Sequence, residues 1–131
     1  MRVGITFGSY DLLHIGHLNI LSRSKSLCEY LVVGVSSDAL NLSKKGVSTI
    51  YSQSERMKIV SSLRMVDYVF LEESLEKKLD YIKQFHADVL IMGDDWTGKF
   101  DFCNGVCDVI YLPRTPNVST TQIVAEIFSR H

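Results

Sequence analysis

At 131 residues, 46% of them hydrophobic and 22% charged, the chain has the length and composition of one compact domain with a core of ordinary size. Its 14 basic and 15 acidic side chains leave a formal net charge of -1, which argues against nucleic-acid or membrane-surface binding through bulk charge. No apolar run has bilayer length and the first residues enter a strand without a signal-peptide pattern, so the expected compartment is the cytoplasm, where Cys28, Cys103 and Cys107 read as free thiols.

Arg2 to Phe7 is short, β-branched or aromatic and nearly uncharged, which predicts a buried strand punctuated by Gly8. Leu18, Ile20, Leu21, Ser24, Leu27 and Cys28 then keep helical spacing, so His14 and His17 lie three apart on one face at a helix start. Such a start offers unpaired N–H groups and the positive end of a macrodipole, and Gly16 leaves that backbone open: an anion cradle with two imidazoles added.

Tyr30 to Ser36 is a second apolar strand, and a strand, helix and strand in succession imply a parallel sheet with a right-handed crossover. Residues 37–50 are polar, carry Lys44-Lys45-Gly46 and read as a loop. Ser52-Gln53-Ser54-Glu55 has the form of a capping box that opens a helix through Met57, Ile59, Val60 and Leu63. A third strand is expected over Val66 to Leu71, and a third helix through Leu75, Leu79, Ile82 and Phe85. The strand Asp88 to Met92 ends abruptly at Gly93-Asp94-Asp95-Trp96. The strand Val109 to Leu112 is stopped by Pro113, and Ser119-Thr120-Thr121 caps a closing helix with Ile123, Val124, Ile127 and Phe128 on its apolar side. The fold class is therefore α/β: an open, Rossmann-like parallel sheet of about five strands, helices on both faces, one domain over 1–131. The unusual residues fall beyond the carboxyl ends of the first, fourth and fifth strands, where such sheets bind ligands.

Ser9-Tyr10-Asp11-Leu12-Leu13-His14-Ile15-Gly16-His17 resembles the HxGH signature of the nucleotidyltransferase superfamily, whose members join a nucleoside triphosphate to a phosphate-bearing acceptor and release pyrophosphate. Arg114-Thr115-Pro116-Asn117-Val118-Ser119-Thr120-Thr121 resembles its second signature, R-T-x-x-I-S-T-T. A guanidinium, several hydroxyls and a helix N-terminus can clamp triphosphate oxygens. Met92 to Phe102, with Arg64-Met65-Val66-Asp67 and a matching layout along nearly the whole chain, resembles the cytidylyltransferase family, in particular its glycerol-3-phosphate branch.

That resemblance implies transfer of CMP from CTP to glycerol 3-phosphate, giving CDP-glycerol for teichoic-acid or capsule synthesis. It implies catalysis by His14, His17, Lys44 and Arg114. Ser9, Tyr10, His14, His17, Lys45, Asp95, Arg114, Thr115, Val118, Ser119, Thr120 and Thr121 would contact CTP, while Lys44, Lys78, Asp11, Trp96 and Arg64 would serve the acceptor. It further implies a homodimer and Mg2+ carried with the substrate phosphates rather than in a protein cage. A phosphate monoester loses its second proton at a pKa of about 6, so no general base is required and no Ser-His-Asp or Cys-His arrangement is missed.

The chain departs from the family pattern in three places. Lys44-Lys45-Gly46 stands where two lysines separated by one residue are usual, Ile15 where an aromatic is frequent, and Val118 where isoleucine is. Taken without the family, the lysines read as solvated, Trp96 as a loop anchor, and Asp94 and Asp95 as caps or as partners of lysines. The rival functions are an ATP-dependent adenylyltransferase, a cytidylyltransferase for another phosphorylated alcohol, a non-catalytic nucleotide-binding module and a small zinc hydrolase.

Overall fold

The structure is a computed structural model that describes residues 1–130. Five strands, β1 (Val3–Gly8), β2 (Tyr30–Ser36), β3 (Tyr68–Glu72), β4 (Val89–Gly93) and β5 (Asp108–Leu112), form one all-parallel sheet in the order β3-β2-β1-β4-β5. The expected α/β architecture is present. The order reverses at β1, so chain leaves the central strand toward β2 and later returns on its other side. That reversal opens a crevice at the carboxyl end of β1.

Residues alternating along the strands feed two separate cores. On one face Leu31, Val33 and Val35 pack with Leu21 of α1 (Ile15–Ser26), Val60 of α3 (Gln53–Ser61) and Val66. On the other, Ile5, Phe7, Val32, Leu90 and Met92 pack with Tyr81 and Ile82 of α4 (Lys78–Gln84) and with Phe100, Cys103 and Cys107. At about 25 cal/mol per Å2 of apolar surface, such burial on both faces dominates the stability of the sheet.

Three expectations need correction. Residues 37–50 are not all loop: α2 (Asp38–Lys45) starts on the Ser37 hydroxyl, which accepts from Leu40 N, and stops at Gly46, whose φ of 73° is left-handed. Eight residues with only Leu40 and Asn41 buried give too short an apolar stripe to be read as a period. The third strand begins at Tyr68 rather than Val66, because a turn closed by Val66 N donating to the Leu63 carbonyl carries the chain into it. Arg64 is exposed on that turn, at the amino ends of the strands, where Asp67 N donates to the Leu31 carbonyl. It lies on the rim opposite the crevice and not beside the acceptor position expected of it.

Candidate active site

A cavity of about 610 Å3 opens at the carboxyl end of the sheet. Its walls come from the loop after β1 with the start of α1, from residues 45–50, from Gly93 and Asp95 after β4, and from the segment running from Pro113 into α5 (Thr120–Ser129).

His14 is the N-cap of α1, and its Nδ1 accepts from Gly16 N at 3.0 Å. His17 reciprocates, its Nδ1 accepting from His14 N at 3.1 Å. This is a capping box built from two imidazoles. Since each Nδ1 is an acceptor, each ring carries its proton on Nε2, and both rings line the cavity as neutral donors. Burial, then the His14 ring and Lys45, push the His17 pKa down to about 4, against the opposing pull of Asp11. Burial and then Arg114 push His14 down as well. Tyr10, buried with a left-handed φ of 54°, sets its ring edge against His17.

The two signature segments are fastened to each other. Asn19 Nδ2 of α1 donates to Thr115 Oγ1 at 2.9 Å, and Arg23 donates to the Pro113 carbonyl at 3.1 Å. Thr120 Oγ1 donates to the Asp11 carbonyl at 2.8 Å, and Ser119 caps α5 by accepting from Gln122 N. A Cβ on Gly16 would stand 2.8 Å from the His14 ring and 3.2 Å from Val118, so only glycine fits where the segments meet. Two helix N-termini, two Nε2–H donors and the Arg114 guanidinium therefore share one crevice, an environment shaped for phosphates.

The remaining residues sort less uniformly. Lys45 reaches the cavity wall, and the Ser9 hydroxyl there donates to Asn41 at 2.5 Å. Lys44 is set just behind, its ammonium donating to Ser36 Oγ at 3.1 Å. Asp95 lies 3.9 Å from Arg114 across the mouth. The Asp11 carboxylate is already taken, accepting from Ile50 N at 2.7 Å and Tyr51 N at 2.9 Å, and so pins the 46–51 loop over the crevice. Trp96 packs on Phe100 in the second core, which makes it the anchor of its loop rather than a wall of the cavity. Lys78 is 1% exposed, with its ammonium on Glu72 at 2.6 Å and over the Phe7 ring at 3.6 Å; it too is absent from the cavity lining. The acceptor contact expected of it is not available in this arrangement, because burial with a carboxylate has taken the place of solvent.

Arg56 escaped the sequence reading. It is fully buried and donates to the carbonyls of Ser9 (2.9 Å), Ser36 (2.8 Å) and Tyr51 (3.0 Å) and to Asp38 Oδ1 (2.7 Å). One guanidinium thereby ties the loops after β1 and β2 to the start of α3. Its place four residues before Val60, on the apolar side of the helix, was the available signal.

Among the described residues no group of three or more His, Cys, Asp or Glu side chains is arranged to hold a metal ion. Asp11 accepts from two backbone N–H groups and Asp95 faces Arg114, so both carboxylates at the cavity already have protein partners.

Residues 5–126 match the cytidylyltransferase-like family. The chain is 46% identical over 127 residues to glycerol-3-phosphate cytidylyltransferase of Bacillus subtilis, covering 97% of this chain and 98% of that protein. It is 42% identical over 130 residues to the enzyme of the same name from Staphylococcus aureus, covering 99% and 98%. Among solved structures, the lipopolysaccharide core biosynthesis protein of Thermoplasma volcanium superposes with a TM-score of 0.78 over 88% of this chain and 98% of its own, at 22% identity, which speaks for the fold alone. With both signature segments on one rim and relatives this similar along the full length, the chain belongs to the glycerol-3-phosphate cytidylyltransferase family.

Proposed function

We propose that this protein transfers CMP from CTP to glycerol 3-phosphate, forming CDP-glycerol and pyrophosphate. A phosphate oxygen of the acceptor attacks the α-phosphorus in line, the bond to the β-phosphate oxygen breaks, and pyrophosphate carries away the electron pair. Near neutral pH the acceptor phosphate is already largely ionised, since its last proton leaves at a pKa of about 6. The chain's work is to bring two anions together and to stabilise charge as it moves. His14 and His17 donate Nε2–H to phosphate oxygens at the α1 start. Arg114, the hydroxyls of Thr115, Ser119, Thr120 and Thr121, and the α5 start grip the triphosphate tail. Ser9, Tyr10, Val118 and Asp95 complete the nucleotide site, with Asp95 as the acceptor for an exocyclic amine. Lys44 and Lys45 approach from the acceptor side. Magnesium, if carried in on the substrate phosphates, would supply further neutralisation of their charge.

The single observation that carries this reading is the convergence of both helix starts and both imidazoles on one cavity. A pyrophosphate-release assay over four nucleoside triphosphates and a set of phosphorylated alcohols tests it. Turnover is expected with CTP and glycerol 3-phosphate; preference for ATP, or for a cationic acceptor such as phosphocholine, rejects it. The same reading takes the enzyme to be a homodimer in the cytoplasm; light scattering on the purified protein checks the dimer. No helix among the described residues is long and apolar enough to cross a membrane.

A further inference from the structure

Glu72 closes β3 and is 1% exposed, and its two oxygens are used differently. Oε2 receives the Lys78 ammonium at 2.6 Å, while Oε1 stands 3.4 Å from Ser36 Oγ. Ser36 is the register partner of Glu72 at the end of β2 and is completely buried. Its hydroxyl also lies 3.3 Å from the Gly8 carbonyl and accepts from Lys44 Nζ at 3.1 Å. Gly8 lines the cavity. A row of contacts thus runs Lys78, Glu72, Ser36, Lys44 along the carboxyl ends of β3 and β2, and it touches the cavity wall through Gly8. Nothing in packing alone calls for it, because an apolar pair in place of Glu72 and Lys78 would fill the space beside Phe7 and Phe100 at lower desolvation cost.

We infer that Glu72 and Ser36 are positioning residues that hold the Lys44 ammonium just behind the Gly8 wall of the cavity, poised for the acceptor phosphate. This rests on the proposed acceptor chemistry and deepens it. Lys44 gives one of its three N–H groups to Ser36 and keeps two for a ligand. Its pKa is pushed down by burial, and Glu72 pulls it back up against Lys45 on its own helix, Lys78 on α4 and Arg56 on α3. One carboxylate shared between two lysines leaves a net positive charge in a sheltered place, which suits an arriving dianion.

Two variants of the full chain test this by independent readouts. In Glu72→Gln the titration of Lys44, followed by pH-dependent acylation with an amine-selective reagent and peptide mass spectrometry, is expected to move to lower pH by about one unit. Ser36→Ala leaves the Glu72–Lys78 pair intact and is expected to raise KM for glycerol 3-phosphate roughly tenfold, with KM for CTP changed less than twofold. An unmoved Lys44 titration overturns the inference, and so does a KM effect that is absent or shared by both substrates. Should Glu72→Gln fail to fold, the KM comparison in Ser36→Ala decides alone. If the wild-type protein does not turn over glycerol 3-phosphate, the acceptor chemistry falls, while the Lys44 titration still decides whether Glu72 governs that ammonium.

Discussion

The rings of His14 and His17 stack with centroids 3.8 Å apart, each turning Nδ1 back onto the helix start it caps. The two side chains therefore hold up the element that presents them, and their chemical and structural roles can be separated by substitution. His14→Ala and His17→Ala are expected to lower turnover by about a hundredfold or more, the scale of losing a preorganised donor, and to cost about 1 kcal/mol of stability with the lost cap. His14→Asn and His17→Gln keep an acceptor for the backbone N–H and should melt near wild type while turnover stays low. Full activity in either alanine variant, measured beside thermal melts, removes the histidines from the mechanism.

The same geometry sets a pH dependence. Both folded-state pKa values lie below the ordinary histidine value of about 6.5, with His17 near 4, so the unfolded chain binds more protons between those limits. Stability contributed by these rings is complete above about pH 6.5 and is lost as pH falls toward 4. Chemical denaturation at pH 7.5, 6 and 5 should show a progressive fall that His17→Gln flattens. Equal slopes in both proteins would contradict the assignment of Nδ1 as an acceptor.

Arg114 lines the cavity, faces Asp95 across the mouth and is the residue to which the proposed reaction gives the triphosphate. Arg114→Ala is expected to raise KM for CTP by roughly tenfold to a hundredfold, the cost of a charge-assisted contact of about 1.5–3 kcal/mol, with a much smaller change for the acceptor. Steady-state kinetics with each substrate varied in turn would show the split.

Gly16→Ala offers a test in which stability and activity move apart. Alanine favours a helix over glycine by about 1 kcal/mol, yet its Cβ would press on the His14 ring at 2.8 Å and on Val118 at 3.2 Å. Activity should drop at least tenfold, as misplacement of reacting groups does, with melting little changed. Calorimetry beside turnover checks it, and an active variant would mean that the two signature segments yield more easily than their packing suggests.

The strands were legible because each is a short apolar run between turn residues, and the meeting of residues 8–17 with 113–121 followed from their places after parallel strands. What escaped the sequence had no period to announce it. The helix Asp38–Lys45 is too short and too polar, although Ser37 and Gly46 mark its ends. Arg56 is different: its spacing from Val60 puts it on the apolar side of its helix, but only the packed loops around it show four acceptors converging there. Arg64 and Lys78 carry charges suited to a phosphate, but charge says nothing of which rim a turn occupies or whether a carboxylate lies underneath. Tyr10 and Leu12 take left-handed backbone without being glycine, which local preference argues against and the crowded loop after β1 imposes.

The hydrogen bond from Thr120 to the Asp11 carbonyl joins positions 109 residues apart. On the ribosome, at about 5–20 residues per second, the histidine half of the pocket waits roughly 5–20 s for its other half to be made. Nascent chains therefore have no complete place to trap nucleotide while the sheet assembles. A break just after residue 113 would leave all five strands without the segment that closes the pocket.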